Sequence, residues 1–272
     1  MADTELAISQ LTVEDAPAGL ILSTEAHWNQ NEADWRFFLS KGIVFGVRDP
    51  GGRLIATAAL LPYSASNAWI SMVLVTEAWR RRGLATRLVD ACLNRAGKLG
   101  LTTWLDATPA GAAVYGPLGF APTLQLRRLR LEAAATPKAA APLAACDLGE
   151  FIARDRDAIG FERGDLLREL TTRAGSHLVS NGKAVALIRD GRTARHIGPL
   201  FADHPDHALA LVGNIAGTGP LLIDAVAEQD DFLKGLTDSG WTIERPFQRM
   251  RFGRAATQAN ELPFAVAGPE YG

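Results

Sequence analysis

An almost unbroken apolar run, Ala68-Trp69-Ile70-Ser71-Met72-Val73-Leu74-Val75, constrains the fold of this chain more than any other segment. It is too short to span a membrane as a helix and too uniformly apolar for a strand with one face in water. It must therefore be a strand in the middle of a sheet, with other elements built around it. Before it, period-two patterns over Ile43 to Val47 and Leu54 to Leu61 predict two strands, and the turn residues Asp49-Pro50-Gly51-Gly52 join them as an antiparallel hairpin. Val13 to Leu39 shows helical spacing broken near Trp28-Asn29-Gln30, which predicts two short helices joined by a polar turn.

After the apolar run come Arg80-Arg81-Arg82-Gly83-Leu84-Ala85, and then Leu84, Leu88, Cys92, Ala96 and Leu99 at helical spacing as far as Gly97 or Gly100. Three arginines in a row are ordinarily a solvated charge run. Placed between a buried strand and a helix they sit where a chain turning into a helix exposes unpaired N–H groups, and the helix dipole adds partial positive charge. Gly83 permits close approach and Ala85 keeps the helix start thin, so the turn suits a diphosphate. A strand over Thr103 to Asp106, a turn at Pro109-Ala110-Gly111, a short helix over Ala112 to Tyr115 and a strand from Thr123 to Leu131 complete a strand, helix, strand, helix, strand order.

Arg80-x-x-Gly83-x-Ala85 matches the R/Q-x-x-G-x-G/A signature of acyl-CoA binding, and the first half resembles the GNAT superfamily of N-acetyltransferases. Val73-Leu74-Val75 looks like that family's splayed central strand, and Tyr115-Gly116-Pro117-Leu118-Gly119-Phe120 looks like its Y-x-x-x-G-F element. The resemblance covers roughly Leu6 to Leu131 and implies an α/β (α+β) fold, a mixed, mostly antiparallel twisted sheet flanked by helices. It also implies acetyl-CoA as the donor and direct transfer in a ternary complex. Arg80, Arg81, Arg82, Gly83, Leu84, Ala85 and Thr86 would form the pyrophosphate loop, with the N–H groups of Arg81 to Thr86 as donors. The backbone of Val73, Leu74 and Val75 would pair with the pantetheine and polarise the thioester, a kind of donor commonly worth about 3 to 4 kcal/mol in acyl transfer. Tyr115 would be the general acid for the departing thiolate, although a lone tyrosine is more often a packing residue.

The acceptor side is drawn from position. An alkylamine of pKa about 10 must lose a proton before it attacks, and Asp106, at a strand end, is the candidate to anchor or deprotonate it. A strand-end polar residue is the plain alternative. Trp28 and Asn29, in the connection that overhangs the acceptor in this family, are candidate substrate contacts. The sequence departs from the family where an Asn often follows the strand; here it reads Asp106-Ala107-Thr108-Pro109, and Thr108 could make the missing contact.

Glu132 to Cys146 is rich in Ala and Pro, which divides the 272 residues into a catalytic domain over 1–134, a linker over 135–146 and a second domain over 147–272. The second half repeats the element order loosely: a helix over Phe161 to Ala174, strands at Ser176 to Val179, Ala184 to Arg189 and Thr193 to Gly198, a helix from Pro205, a strand at Pro220 to Asp224, a helix over Gln229 to Ser239 and a late strand to Phe252. With Gly198-Pro199-Leu200-Phe201-Ala202 after a strand, then Gly240-Trp241 and the late Phe247-Gln248-Arg249-Met250, the whole chain resembles bacterial tandem proteins that join a GNAT domain to a degenerate GNAT-like one. Where the first half has its loop, the second has Ala202-Asp203-His204-Pro205-Asp206-His207, whose acids would repel a diphosphate. His196, His204 and His207 match no metal-site spacing and are expected in polar loops and helix starts, with no metal. Gly217-Thr218-Gly219-Pro220 is a turn, and the tail from Pro263 is expected to pack back on the body.

A net charge of -2 gives no global field for nucleic acid. With no signal segment or membrane span and two isolated cysteines, the chain is expected to be cytoplasmic, monomeric or a homodimer, acting on a small primary amine. Two other functions fit the residues: a CoA-responsive binding module without turnover, or acetylation of a protein lysine or N-terminus.

Overall fold

A computed structural model describes residues 6–64, 66–132, 144, 146–215, 219–254 and 261–272. The expected linker, apart from Ala144 and Cys146, lies outside the described residues, as do Gly217 and Thr218. The chain forms two units: Met1–Leu105 with Arg251–Gly253, and Asp106–Met250 with Arg254–Gly272.

The first unit opens with β1 (Ile8–Gln10), α1 (Ala16–Glu25) and α2 (Glu32–Lys41). The break between the helices falls where the polar Trp28-Asn29-Gln30 stretch places it, and Asn31 caps α2 by accepting from the Asp34 N–H at 3.1 Å. Strands β2 (Ile43–Arg48), β3 (Leu54–Pro62) and β4 (Asn67–Val75) follow as an antiparallel meander. Helix α3 (Leu84–Lys98) leads into β5 (Thr102–Ala107), whose first four residues belong to this unit. The strand order is β1-β2-β3-β4-β5, and β4 is interior as its composition requires. Trp35, Phe38, Trp69, Ile70 and Met72 are fully buried, and α3 packs its apolar face on β3 and β4. Cys92 lies on that face, and burial pushes its thiol up to about 12, which leaves it unreactive at neutral pH. Cys146 is only partly buried.

The second unit comprises α4 (Pro109–Tyr115), β6 (Ala121–Leu131), α5 (Leu148–Ile159), α6 (Gly164–Thr172), β7 (His177–Ser180), β8 (Ala184–Arg189), β9 (Arg195–Ala202), α7 (Pro205–Ile215), β10 (Leu221–Val226), α8 (Asp230–Asp238) and β11 (Thr242–Phe252). Its order is β11-β6-β10-β9-β8-β7. Strands β9 and β10 pair in parallel, while β10 with β6, β9 with β8 and β8 with β7 are antiparallel. Strand β6, which closes the first half in sequence, is paired to β10 from Leu126 opposite Val226 to Leu131 opposite Leu221. Its Arg128 lies directly opposite Asp224 and forms an ion pair with it.

Two elements escape a reading by period. Strand β1 is only three residues long. Helix α5 carries Arg154-Asp155-Arg156-Asp157 across its middle, and Asp155, on the buried face with Phe151 and Ile152, breaks the apolar pattern. Asp155 is buried because Arg163 meets it with two hydrogen bonds at 2.8 and 2.7 Å.

Candidate functional site

The arginine turn of the first unit is exposed and tightly folded. Arg81 and Gly83 both take left-handed backbone conformations, at φ 60° and 74°. Gly83 stands at the N-cap of α3 with no side chain capping the helix, and a Cβ there would meet nothing within 4 Å. The N–H groups from Arg81 through Thr86 donate to no protein acceptor among the described residues, whereas Arg80 N bonds Glu77 O and Arg87 N bonds Gly83 O. Consecutive free donors at a helix start, next to open space, suit a diphosphate. The arginine side chains frame the turn: Arg82 lies 4.6 Å over the Trp79 ring, and Arg80 Nε donates to the Val75 carbonyl at 3.1 Å.

Strand β4 reaches this turn through a bulge. Its register with β3 shifts between Thr57 and Ala59, Met72 has φ 51°, and the Thr57 hydroxyl donates to the Met72 carbonyl at 2.8 Å. Thr76 N bonds Ile55 O, so alternation turns the backbone groups of Val73 and Val75 away from β3. On its other side β4 pairs with β5 over three residues only, Asn67 to Trp69 against Thr102 to Trp104, and Trp104 Nε1 donates to Asn67 Oδ1 at 2.9 Å there. Leu74 is buried against the core.

Glu25, the last residue of α1, ties that helix to the end of β4. Its carboxylate accepts from Thr76 Oγ1 at 2.6 Å and from Glu77 N at 2.8 Å, and these two bonds hold its pKa below the usual carboxylate range. The adjoining connection is more enclosed than a polar turn suggests: Asn29 and Gln30 are buried and Trp28 is half-buried.

The remaining expected site residues lie in the second unit. The Asp106 carboxylate is fully buried and accepts from Arg249 Nε and Nη2, both at 2.9 Å. Burial raises its pKa, an effect that Arg249 opposes. Thr108 is the N-cap of α4, its hydroxyl accepting from Gly111 N at 3.2 Å. Tyr115 ends that helix, with its ring 6.0 Å from that of Phe120.

Sequence patterning missed a buried ionic row in this unit. Arg128 meets Asp224 with two bonds at 2.8 and 2.7 Å, and His196 Nε2 lies 2.9 Å from Asp224 Oδ2. His196 thus lies in the strand expected over Thr193 to Gly198, but as a buried partner of Asp224 and not as a polar loop residue; burial first, then the Arg189 charge, lower its pKa. Thr57, Glu25 and Arg249 were likewise unmarked. Thr57 alone left a signal, as a polar residue inside the apolar Leu54–Leu61 run. Among the described residues no group of three or more His, Cys, Asp or Glu side chains is placed to hold a metal. No helix there is long and apolar enough to cross a membrane.

Two family models match the chain: "Acetyltransferase (GNAT) family" over residues 7–120 and "Acetyltransferase (GNAT) domain" over 152–265. Among curated proteins the uncharacterized N-acetyltransferase YitH of Bacillus subtilis is 25% identical over 242 residues, 84% of this chain and 85% of that one. A candidate acetyltransferase of Pyrococcus horikoshii superposes with a TM-score of 0.81 at 18% identity, covering 99% of this chain and 97% of its own. A tandem GNAT protein from the clavulanic acid biosynthesis pathway gives 0.62 at 15% identity, covering 92% and 100%. At these identities the superpositions speak to the fold alone.

Proposed function

Because the chain belongs to the GNAT family of acetyltransferases and carries two such domains in tandem, we propose that it moves an acetyl group from acetyl-CoA to the primary amine of a small molecule. Residues 1–134 are the catalytic domain in this reading and 147–272 the second domain. The observation that carries it is the run of unpartnered N–H groups from Arg81 to Thr86 at the open start of α3. These donors take the pyrophosphate, with Arg80, Arg81 and Arg82 adding charge. Val73 and Val75, turned away from β3, pair with the pantetheine, and the bulge aims an N–H at the thioester oxygen as it gains charge.

The neutral amine nitrogen attacks the thioester carbonyl, the C–S bond breaks as the tetrahedral intermediate collapses, and the nitrogen loses its proton to solvent water. Tyr115 protonates the departing thiolate. Trp28, Asn29 and Thr108 belong to the acceptor side. With both oxygens held by Arg249, Asp106 anchors that side and does not abstract the proton.

Acetyl-CoA-dependent thiol release across a panel of small amines tests the proposal. Binding of acetyl-CoA with no release for any amine would favour the binding-module reading, and release only with peptides would favour a protein acceptor. Asp106→Asn is expected to raise KM for the amine several-fold while leaving acetyl-CoA affinity alone; unchanged saturation and turnover would remove Asp106 from the site.

Thr57 supports the donor strand from behind. Thr57→Val keeps the shape but leaves the buried Met72 carbonyl without its bond, a loss of about 1–3 kcal/mol that loosens the bulge. We expect kcat to fall about tenfold, the kinetic equivalent of about 1.4 kcal/mol, with acetyl-CoA affinity nearly unchanged and with rescue by Thr57→Ser. Equal losses in Thr57→Ser and Thr57→Val would assign the threonine to packing.

A further inference from the structure

The two units share a local device. In the first, β4 and β5 pair in parallel over three residues and their ladder then ends at Trp69 and Trp104. In the second, β9 and β10 pair in parallel over three residues, Arg195 to Ile197 against Leu221 to Ile223, and their ladder then also ends. The slot that follows in the second unit is filled by the chain's own C-terminal segment. Ala265 bridges antiparallel to Leu200 of β9 and also to Ala225 of β10. Phe264 N donates to Leu200 O at 2.9 Å, Leu200 N to Ala265 O at 3.0 Å, Val266 N to Asp224 O at 3.0 Å and Val226 N to Phe264 O at 3.1 Å.

The seat is built for this occupant. Gly198 on β9 has φ 151°, and a Cβ there would lie 2.0 Å from the Val266 carbonyl oxygen, so only glycine lets the segment in. The Phe264 ring packs edge-on to Phe232 at 5.2 Å, and Phe264, Ala265 and Val266 are buried. Beyond the slot, Glu270 pairs with buried Arg189, whose guanidinium lies 5.4 Å over the Tyr271 ring. Arg163 Nη1 donates to the carbonyls of Tyr271 at 2.8 Å and Gly272 at 2.5 Å. The neighbouring helix α7 starts at Pro205, which has no N–H to offer a phosphate, beside Asp203 and Asp206.

We propose that Phe264–Val266 is an internal stand-in for the donor's pantetheine arm, permanently occupying the second unit's donor slot, so that the chain carries one acyl-CoA site. This rests on the reading of β4 in the first unit as the strand that pairs with pantetheine. The occupant is a β-strand added from within, held by main-chain bonds in the slot and by two arginines outside it. The second GNAT domain is on this account a closed one.

Hydrogen exchange on the full chain, with and without saturating acetyl-CoA, tests this together with a calorimetric site count. We expect the amides of Phe264 and Val266 to exchange as slowly as those of Leu200 and Val226, unchanged by acetyl-CoA, while the 81–86 amides slow at least tenfold and the count is one per chain. Glu270→Gln should speed exchange over 264–271 about tenfold and leave the 81–86 response intact. Fast exchange at Phe264 and Val266 in the intact protein, their release by acetyl-CoA, or a count of two would each overturn the proposal while leaving the first site standing. Slow tail amides with no response at 81–86 and no calorimetric heat would overturn the donor reading itself, and the assignment of the slot with it.

Discussion

Replacing Gly83 with glutamate is expected to abolish measurable acetyl-CoA binding while leaving the protein folded. Gly83 is exposed at φ 74°, and open space lies where a Cβ would go, so the new side chain meets no protein atom but enters the volume in front of the Arg81–Thr86 donors. Two effects act together. An L-residue in the left-handed region costs about 1–2 kcal/mol, which tightens or distorts the turn. A carboxylate about 4 Å from a phosphate adds about 4 kcal/mol of repulsion at an effective dielectric near 20. At about 1.4 kcal/mol per tenfold, the sum is a loss of more than about a thousandfold. Gly83→Ala separates the two, since it carries only the backbone term and should weaken binding about tenfold. Calorimetric titration reads both, with the melting curve as the control for folding. Retention of native affinity by Gly83→Glu would show that the diphosphate does not use this turn.

The largest expected effect on stability comes from Asp224. Its side chain is fully buried between Arg128 and His196. Burial alone would raise its pKa, but Arg128 and the His196 bond hold it well below the usual carboxylate range. Asp224→Ala leaves Arg128 charged and unpaired in the interior, and removing one partner of such a pair costs about 3–5 kcal/mol, a large share of the about 5–15 kcal/mol that holds a domain together. Chemical denaturation of the two proteins gives the difference directly; a loss under about 1 kcal/mol would mean that the pair is solvated in solution.

The same row gives stability a pH dependence of definite sign. The folded pKa of Asp224 is depressed, so its contribution is complete above an unfolded value of about 3.9 and is lost as pH falls further. His196 is also depressed, by burial and then by Arg189, so the unfolded chain takes up its proton first and stability begins to fall below about pH 6.5. Both act in one direction, toward loss in acid. His196→Gln, which keeps a donor for Asp224, is expected to remove the upper step, and its persistence in that variant would place the titrating group elsewhere.

What was legible in the residues follows from periodicity. The central strand β4, the hairpin of β2 and β3, the arginine turn and the helix after it each declare themselves locally, because an apolar run, a Pro-Gly-Gly turn and a 3.6-residue stripe are properties of neighbours in sequence. The Tyr115 to Phe120 element is legible only through the resemblance to the GNAT family, and the weak repeat in the second half through its order of elements. Residues whose partners are remote were not. Asp106 reads as a free strand-end carboxylate until Arg249, far along the chain, is folded against it. Asp155 reads as a surface charge on α5 until Arg163 takes it inward, and His196, although in a predicted strand, reads as one of three exposed polar histidines until β9 buries it beside Asp224.

The sequence by itself determined most of the element order, β1 and α5 aside, the interior place of β4 and the strand-to-helix turn at Arg80–Thr86, and its motifs carried the resemblance to the GNAT family. Each rests on short-range pattern and backbone preference. Only the tertiary structure decided that β6 pairs with β10, that Thr57 braces the bulge of β4, and that the segment at Phe264–Val266 lies between β9 and β10. Those outcomes depend on long-range register, on which buried charge finds its opposite and on which backbone groups are left without a ladder partner. A strand's edge donors and acceptors are the same in every sequence, so nothing in the residues marks which edge a remote segment will fill.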